Sequence, residues 1–363
     1  MTKTIKTTIG DLKHALQQVL KAVDTKRVTL EVNDGLLFVH ACAADAHARA
    51  LVNASGDIAD AVFPMPGKTL LAIVNAYDVG AQCTITQVEK GLRFQFGGAK
   101  VTLEKYSDAE VEIFEERVKK FEFEGLSKFK ASELRTALGT VERFASQNDI
   151  RMHFRGLYIQ SIDGKLVLTA CDGFRLAENV TGMFLAEVEP MILPIVFAEA
   201  LRSVLKDEEE VEFEILGETN VRRLRFSTPT FRLDCPLLSA VYPDYKAILP
   251  ETTATITVDR IGLASAIDRM CLVSGPFVEL NFQAGRLMVA TVDAESNETL
   301  DTQGDLVSLT VRFQAKLLSD SLGAISTELA SISVNPEKGS DSRLLLKTTA
   351  DDGWQAVVMP IKN

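Results

Sequence analysis

The sequence lacks the features that would place the protein in a membrane or in an oxidising compartment. Its apolar runs are far shorter than the roughly 20 residues that a membrane-spanning helix needs, and no apolar stretch near the N-terminus has the form of a secretory signal. The chain contains no Cys-x-x-Cys pair, and its cysteines are few, odd in number and widely spaced: Cys42, Cys83, Cys171, Cys235 and Cys271. Neither a disulfide framework nor a zinc site is indicated, and we expect a cytoplasmic protein.

Common catalytic motifs are also missing. The sequence contains no phosphate-binding G-x-x-x-x-G-K-[ST], no G-x-G-x-x-G, no H-E-x-x-H and no G-x-S-x-G. Cys42, Asp45 and His47 are close enough in sequence to suggest a metal site or a nucleophile. Strand alternation, however, would place Cys42 and His47 on opposite faces, so we interpret them as ordinary structural residues. We expect no enzymatic activity and no bound cofactor or metal.

Basic residues are fewer than acidic residues. Lysine and arginine number 39 against 50 aspartates and glutamates, which gives a formal net charge of −11. This total argues against a protein that coats nucleic acid. Because exposed charges are screened beyond about 8 Å at physiological salt, a local basic surface could still contact DNA.

Three copies of one amphipathic helical pattern are present. In each copy, apolar residues follow the i, i+3, i+4, i+7 spacing that puts one apolar stripe on a helix. The three stripes are Leu12, Ala15, Leu16 and Val19; Leu134, Ala137, Leu138 and Val141; and Leu263, Ala266, Ile267 and Met270. Thr8 and Asp11 resemble a capping pair before the first helix.

Further landmarks recur with these helices. Tight turns at Asp34-Gly35, Asp163-Gly164 and Ala284-Gly285 each precede a β-rich run and predict hairpins. A second helix (PGKTLLAIVNAYD, PIVFAEALRSVLKD, FQAKLLSDSLGAIS) and a closing strand pair complete each unit of about 120 residues. The pattern predicts an α+β fold of three tandem domains with mainly antiparallel strands. We place them at residues 1–123, 124–250 and 251–363, with the first boundary in the charged stretch FEERVKKFEFEG.

Three stretches carry a family resemblance. Residues 169–177, TACDGFRLA, are similar to the signature A-T-D-G-H/F-R-L-A of bacterial sliding clamps, the DNA polymerase III beta subunits. Residues 242–250, YPDYKAILP, resemble the family's F-P-D-Y…V-L/I-P, and residues 357–361, VVMPI, resemble its terminal V-V-M-P-M/V. Cys171 replaces the usual threonine, Ala247 replaces a frequent basic residue, and Lys362-Asn363 replaces Arg-Leu. The resemblance covers essentially the whole chain and indicates a divergent member.

The resemblance implies an architecture and a function. Clamp domains place antiparallel sheets outside and paired helices inside a ring, which forms by head-to-tail homodimerisation. Such a ring encircles double-stranded DNA without reading its sequence and acts as a processivity factor in DNA replication. Its partners are the replicative DNA polymerase alpha subunit, the clamp loader and other proteins with clamp-binding motifs. A clamp-like scaffold or decoy that does not encircle DNA is a second possible function. A hydrolase with a dispersed site is a third.

The resemblance also implies site residues. A hydrophobic groove for partner peptides would be formed by Phe154, Cys171, Gly173, Phe174, Arg175, Leu176, Pro243, Ile248, Val357, Val358, Met359, Pro360 and Ile361. We expect Arg175 to hydrogen-bond the peptide backbone. DNA-facing candidates are Lys13, Lys26, Arg27, Arg135, Asn148, Arg151, His153, Arg202, Lys206 and Arg260. Ordinary solvated helix faces are the alternative interpretation of these basic residues. The dimer interface would use Val101, Leu103, Leu272 and Val273.

Overall fold

The structure is a computed structural model and describes residues 4–43, 45–56, 59–117, 123–216, 223–350 and 352–361. The chain divides into two compact units. Unit 1 comprises Met1–Ser132 and Glu199–Leu237, and unit 2 comprises Glu133–Ala198 and Leu238–Asn363. The predicted boundary near residue 123 lies beside residues 118–122, which are outside the described residues, as is the Lys362-Asn363 terminus. The three-domain division stays a prediction.

The same order of elements recurs three times, as the sequence predicts. The first repeat contains β1 (Thr4–Thr8), α1 (Ile9–Ala22), β2 (Arg27–Asn33), β3 (Leu36–Cys42), β4 (His47–Val52), β5 (Ala54–Gly56), β6 (Ala61–Pro66), α2 (Gly67–Asn75), β7 (Gln82–Val88), β8 (Gly91–Phe96), β9 (Ala99–Glu104) and α3 (Asp108–Arg117). The second contains β10 (Glu124–Lys130), α4 (Ala131–Val141), β11 (Gly156–Ile162), β12 (Lys165–Cys171), β13 (Arg175–Phe184), β14 (Met191–Pro194), α5 (Ile195–Val204), β15 (Glu210–Leu216), β16 (Arg223–Ser227) and β17 (Phe231–Pro236). The third contains β18 (Ala254–Asp259), α6 (Arg260–Ser274), β19 (Phe277–Gln283), β20 (Arg286–Ala290), β21 (Asn297–Gly304), β22 (Leu309–Gln314), α7 (Ala315–Leu322), β23 (Leu329–Val334), β24 (Leu344–Thr348) and β25 (Trp354–Val358).

The predicted helices and turns are confirmed. All twelve stripe residues of α1, α4 and α6 are buried, which is the expected fate of an apolar stripe on an amphipathic helix. The Thr8 hydroxyl accepts a hydrogen bond from the Asp11 backbone N–H at 3.0 Å and so caps α1. At two of the predicted hairpins both turn residues have positive φ, at Asp34-Gly35 and Asp163-Gly164, as a type I′ turn requires.

The strands form antiparallel sheets that continue from one repeat into the next. Unit 1 holds a five-stranded sheet in the order β5-β1-β7-β8-β9 and an eight-stranded sheet in the order β10-β15-β16-β17-β4-β3-β2-β6. Unit 2 holds a twelve-stranded sheet in the order β14-β11-β12-β13-β25-β24-β23-β18-β21-β20-β19-β22. The closing strand of one repeat thus pairs with the fourth strand of the repeat before it, as β17 with β4 and β25 with β13.

Three features differ from the sequence prediction. Each repeat opens with a strand, β1, β10 or β18, before its first helix, and α3 forms in a stretch that we interpreted as a charged connection. Cys42 and His47 lie directly opposite each other on β3 and β4, so the prediction that they face opposite sides was wrong. The residues between them turn the chain, and the alternation of a single strand does not apply. No cluster of three or more His, Cys, Asp or Glu among the described residues could hold a metal ion.

No helix in the described part of the chain is long and apolar enough to cross a membrane.

Candidate partner-binding site

The three signature stretches meet in unit 2. Strands β13 and β25 are paired, with Arg175 opposite Val358 and Leu176 opposite Val357. Beyond the end of β25, the Met359 N–H donates to the Phe174 carbonyl at 2.9 Å. This hydrogen bond holds the terminal segment against the loop between β12 and β13. Two stretches that are about 180 residues apart in sequence are therefore held together by backbone hydrogen bonds.

An apolar cluster lies beneath the third stretch. It contains Phe154, Cys171, Leu176, Ile192, Tyr242 and Tyr245, with Tyr158, Leu238, Ala240 and Leu249 packed against it. The rings of Tyr158 and Tyr242 are stacked, with centroids 4.3 Å apart and planes within 2°. The segment after β17 is anchored to the sheet because the Leu238 N–H donates to the Ile192 carbonyl at 2.9 Å. This segment, residues 238–249, forms one wall of the candidate site, and we call it the second-repeat strap.

A buried carboxylate fixes the strap. The Tyr245 hydroxyl donates to Glu178 Oε2 at 2.6 Å and lies 3.1 Å from Gln160 Oε1. Gln355 Nε2 donates to the other oxygen of Glu178 at 2.8 Å. Burial, followed by the adjacent Glu178 carboxylate, raises the pKa of Tyr245 above its ordinary value. The hydroxyl therefore stays protonated and serves as a donor to a buried charge.

The loop between β12 and β13 is built by Asp172. Its Oδ1 accepts hydrogen bonds from the backbone N–H groups of Phe174 (2.9 Å) and Arg175 (3.0 Å). Gly173 has a φ of +90°, which favours glycine, and its N–H lies 3.3 Å from Cys171 Sγ. Burial raises the pKa of the Cys171 thiol to about 11, so this cysteine is a neutral apolar group in the site.

Arg175 does not occupy the position that we expected. Its side chain is only 7% exposed and lies over the Phe144 ring at 5.0 Å. The guanidinium donates to the backbone carbonyls of Arg143 (2.7 Å) and Leu317 (3.1 Å) and to Asp172 Oδ2 (3.0 Å). Because these acceptors already occupy its donors, Arg175 ties the loop to neighbouring elements and is not free to bind a peptide backbone in this conformation.

Exposure divides the predicted groove residues into two groups. Phe154, Cys171, Leu176, Val357 and Val358 are buried. The accessible group consists of Gly173, Phe174 and Pro243, which are exposed, and Ile248, Met359, Pro360 and Ile361, which are half-buried. Phe174 exposes 56% of its surface. The site is thus a shallow apolar surface above a packed cluster.

Further exposed apolar residues flank the motifs, and our sequence analysis did not assign them to the site. They are Ile150, Met152 and Val241, with exposed fractions of 96%, 47% and 88%. Each lies within a few residues of a predicted site residue. Apolar side chains in loops beside the motifs were the signal that could have identified them.

Arg151, a DNA-facing candidate, lies at this surface. Asp149 holds its guanidinium through both oxygens, at 2.9 and 2.8 Å. The guanidinium also stacks on the Phe154 ring, 4.3 Å from its centroid, and a Cβ at Gly173 would approach its Nη2 to 3.0 Å. This placement puts Arg151 at the edge of the candidate groove.

The other DNA-facing candidates lie in varied surroundings. Lys26, Asn148, Arg202 and Lys206 are exposed, whereas Lys13, Arg135, His153 and Arg260 are half-buried. Arg260 Nε donates to the Thr327 carbonyl at 2.9 Å. Helices α1 and α2 frame a groove of about 700 Å³ in unit 1, whose lining includes Lys21 and Lys68. Contact of the ten DNA-facing candidates with DNA stays a prediction.

The four dimer-interface candidates are accessible. Val101 and Leu103 are half-buried on β9, which is the edge strand of the five-stranded sheet. Leu272 and Val273 lie at the end of α6 and expose 88% and 67% of their surface. Neighbouring apolar side chains with such exposure are typical of a surface that another chain covers.

Comparisons with known proteins bear on the whole chain. Residues 128–244 match the family described as DNA polymerase III beta subunit, central domain, and residues 246–362 match its C-terminal domain. A curated beta sliding clamp of Pseudomonas putida is 26% identical over 242 residues, and the chain spans only 64% of that relative's length. The beta sliding clamp of Pseudomonas aeruginosa is 23% identical over 307 residues, which cover 82% of this chain and 81% of the relative.

Solved structures show the same fold. A Pseudomonas aeruginosa sliding clamp bound to griselimycin superposes with a TM-score of 0.87 at 21% identity and covers 100% of both chains. A C. crescentus beta sliding clamp superposes with a TM-score of 0.85 at 20% identity, again over 100% of both chains. The two domain matches together cover more than half of the sequence. The chain therefore belongs to the family of the DNA polymerase III beta subunit, the bacterial beta sliding clamp.

Proposed function

We propose that this protein is a DNA sliding clamp, a cytoplasmic, non-catalytic processivity factor that encircles double-stranded DNA and tethers the replicative polymerase. The observation that carries the proposal is the convergence of the three signature stretches on one apolar surface of unit 2. Family membership supports it across the second and third repeats.

The apolar surface is suited to a short peptide. Phe174, Pro243 and Met359 offer exposed or half-buried apolar contacts above the cluster that contains Tyr242. An extended segment with apolar anchors could bury these side chains and gain affinity from the desolvated area. The polymerase alpha subunit, the clamp loader and other proteins with glutamine-, leucine- and phenylalanine-containing motifs are the partners that we propose for it.

The sheets support a homodimeric ring. Two repeat-to-repeat junctions, β17 with β4 and β25 with β13, lie within the chain. A third junction of the same kind would join β9, the closing strand of the first repeat, to β21, the fourth strand of the third repeat. Among the described residues, β9 has a strand partner on its β8 side only, and β21 pairs with β18 only at residues 302–304. The edge of residues 297–301 that faces away from β20 therefore has no strand partner in the described part of the chain. We propose that β9 of one protomer pairs with β21 of the other.

Burial at equivalent positions supports the same interface. Val273 in α6 corresponds to Phe144 after α4, because Leu263 and Leu134 begin the two stripes. Phe144 is fully buried and contacts Trp354 of β25, with ring centroids 6.4 Å apart. Val273 is 67% exposed. The position is buried where the next repeat is present in the chain and exposed where a second chain would supply it.

Retention on DNA tests the proposal. Loaded with a clamp loader, the protein should stay on closed circular DNA and be lost when the circle is cut, because a ring can leave a linear end. Leu272→Asp with Val273→Asp should give monomers by light scattering and abolish retention. Leu36→Asp, at a hairpin residue that exposes 49% of its surface, should do neither. Equal retention on circular and linear DNA would refute encirclement and favour the scaffold or decoy alternative.

Partner binding is tested separately. Deletion of residues 359–363 should abolish binding of a polymerase-derived clamp-binding peptide while Trp354 fluorescence remains native. Unchanged affinity after this deletion would contradict the groove assignment without affecting the ring.

A further inference from the structure

A cavity lies between α3 and the hairpin of the first repeat. It has a volume of about 300 Å³, and its lining includes Arg27, Thr29, Cys42, Pro64 and Glu110. Lys26, Val28, His40, Ile113 and Phe114 also line it. All of these residues belong to unit 1. None of them is part of the candidate groove.

This cavity is the first-repeat counterpart of the partner groove. The hairpins of the two repeats align with an offset of 129 residues, from Asp34-Gly35 to Asp163-Gly164. On this alignment Cys42 corresponds to Cys171 and Thr29 to Tyr158. Pro64 pairs with Thr29 in the same way that Ile192 pairs with Tyr158.

The covering segments are anchored alike. The Tyr106 N–H donates to the Pro64 carbonyl at 2.9 Å, just as the Leu238 N–H donates to the Ile192 carbonyl at 2.9 Å. Residues 106–117, which include α3, therefore form a first-repeat strap over the same region of the hairpin. The sequence motifs do not reveal this correspondence, because the two straps share no signature.

Side-chain size explains why the first-repeat site is open. In the second repeat, Tyr158 and Tyr242 stack together and fill the space beneath the strap. The first repeat has Thr29 in place of Tyr158 and, four residues after its anchor, Glu110 in place of Tyr242. Two aromatic rings are thus absent from a backbone frame that the two repeats share, and a cavity of small-ligand size is left in their place.

The cavity combines cations with an apolar wall. Lys26 and Arg27 are exposed at its mouth. The two carboxylates of the lining are already paired, Glu110 with Arg27 and Asp24 with Lys68, and Arg27 lies 5.0 Å from the Tyr106 ring centroid. Val28 and Phe114 are buried, and Ile113 contributes further apolar surface. A ligand that carries a carboxylate beside an apolar side chain would match this lining. Glu110 already acts as such a carboxylate from within the chain.

We infer that the cavity is a second ligand-binding site, which takes a short peptide whose acidic side chain replaces Glu110 at Arg27. The proposed groove of the second repeat serves as its template, but the site is independent of that groove in residues and in charge. An acidic partner segment would place its carboxylate at Lys26 and Arg27 and a neighbouring apolar side chain against Ile113 and Phe114.

Methyl NMR on the full-length protein tests the inference. Val28 and Ile113 report on the cavity, and Leu176 and Val357 report on the partner groove. The probe is acetyl-Ala-Leu-Glu-Phe-Ala-amide, with its glutamine counterpart as the uncharged control. We expect saturable shifts at Val28 and Ile113 with the acidic peptide and affinity at least about tenfold weaker for the glutamine peptide, because a charge-assisted hydrogen bond is lost.

Variants make the test specific. Arg27→Gln should weaken binding about tenfold, and Glu110→Gln should strengthen it up to about threefold by removing the internal competitor at an exposed pair. Glu112→Gln, on the same helix, changes the net charge equally and should have no effect. Thr29→Tyr, which places the second repeat's ring in the cavity, should block binding; if that variant fails to fold, Arg27→Gln still decides.

Three outcomes would overturn the inference. One is an absence of shifts at Val28 and Ile113 up to the solubility limit of the peptide. Another is shifts confined to Leu176 and Val357, which would show binding at the partner groove and leave the proposed function intact. The third is an equal response to inorganic phosphate, which would make the cavity a general anion site. Failure of the DNA-retention test would not alter any of these readouts.

Discussion

Equivalent hairpins of two repeats carry different chemistry. Beneath the second-repeat strap lie stacked tyrosines, Tyr158 and Tyr242, with Tyr245 edge-on to both. The first repeat has the cavity beneath its own strap and, next to it, a chain of polar side chains that we call the histidine chain: Glu31, His40, His47, Asp234 and Arg225. With the 129-residue offset, the first three correspond to Gln160, Thr169 and Leu176 of the second repeat.

Close contacts between polar atoms link the members of the histidine chain. His40 Nε2 lies 2.9 Å from Glu31 Oε2, and His40 Nδ1 lies 3.0 Å from His47 Nε2. His47 Nδ1 is 3.7 Å from Asp234 Oδ2, and Arg225 donates to both oxygens of Asp234 at 2.6 and 2.8 Å. The same backbone frame therefore accommodates both sets of side chains. We expect the histidines of the first repeat to make the stability of unit 1 depend on pH.

The largest expected effect comes from Asp234. Burial alone would raise the pKa of this carboxyl, but the hydrogen bonds from Arg225 and the nearby His47 ring outweigh burial and lower the pKa below its ordinary value. Asp234→Ala should leave Arg225 without its partner and destabilise unit 1 by about 3–5 kcal/mol. Hydrogen exchange of β4 and β17 would measure this loss of stability.

Asp24→Ala is the matched control, since the Asp24 side chain lies in unit 1 and is 96% exposed, and it should cost less than about 0.5 kcal/mol. The single tryptophan, Trp354, lies in unit 2 and should report little change for either variant. Equal protection of β4 in Asp234→Ala and in the unmodified protein would contradict an energetic role for the histidine chain.

A second prediction concerns pH. Burial, opposed by the hydrogen bond to Glu31, lowers the pKa of His40 from 6.5 to about 4. Below pH 6.5, His40 of the unfolded chain therefore binds a proton that His40 of the folded protein does not bind. The free energy of unfolding should fall as the pH is lowered from 6.5 towards 4, by ~3 kcal/mol in all.

Urea unfolding between pH 6.5 and 4.5, followed by exchange of β3 and β4, would measure this slope. His40→Thr, the residue found in the second repeat, should flatten it. Glu31 and Asp234 do not confuse the result, because both have lowered pKa values and lose their contribution only at lower pH. An unchanged slope in His40→Thr would show that another group is responsible.

Local patterns predicted much of the fold. The stripes of α1, α4 and α6 and the Asp-Gly turns depend on neighbours within a few residues, and each is found. The groove motifs were predicted by resemblance, and the structure brings Leu176, Tyr242 and Val357 into one region.

What was missed depends on distant partners. The position of Cys42 opposite His47 follows from the turn between two strands. Arg175 is buried because Arg143 and Leu317 offer carbonyls from far along the chain. Helix α3 was missed since its sequence, DAEVEIFEER, has a weak apolar stripe and, among its described side chains, only Phe114 is buried, where it meets His40.

A third prediction concerns the tyrosine cluster beneath the second-repeat strap. Tyr245→Phe removes the hydroxyl that donates to the buried Glu178 at 2.6 Å. Gln355 still donates to that carboxylate, so the cost should be about 1–2 kcal/mol. Trp354 fluorescence during urea unfolding would measure it. A loss below about 0.5 kcal/mol at pH 7 would contradict a stabilising role for this buried hydrogen bond.

The smallest effect is expected at the first-repeat strap. Glu110→Gln removes the ion pair with Arg27, whose side chain is 56% exposed. Solvent screens such a pair, so unit 1 should lose no more than about 1 kcal/mol, and less as salt is added. Hydrogen exchange of β2 and β6 at low and high salt would measure the change. A loss as large as that of Asp234→Ala would mean that α3 is an integral part of the core. A small loss would instead leave Arg27 able to exchange one carboxylate for another, which the tyrosine-filled second repeat cannot do.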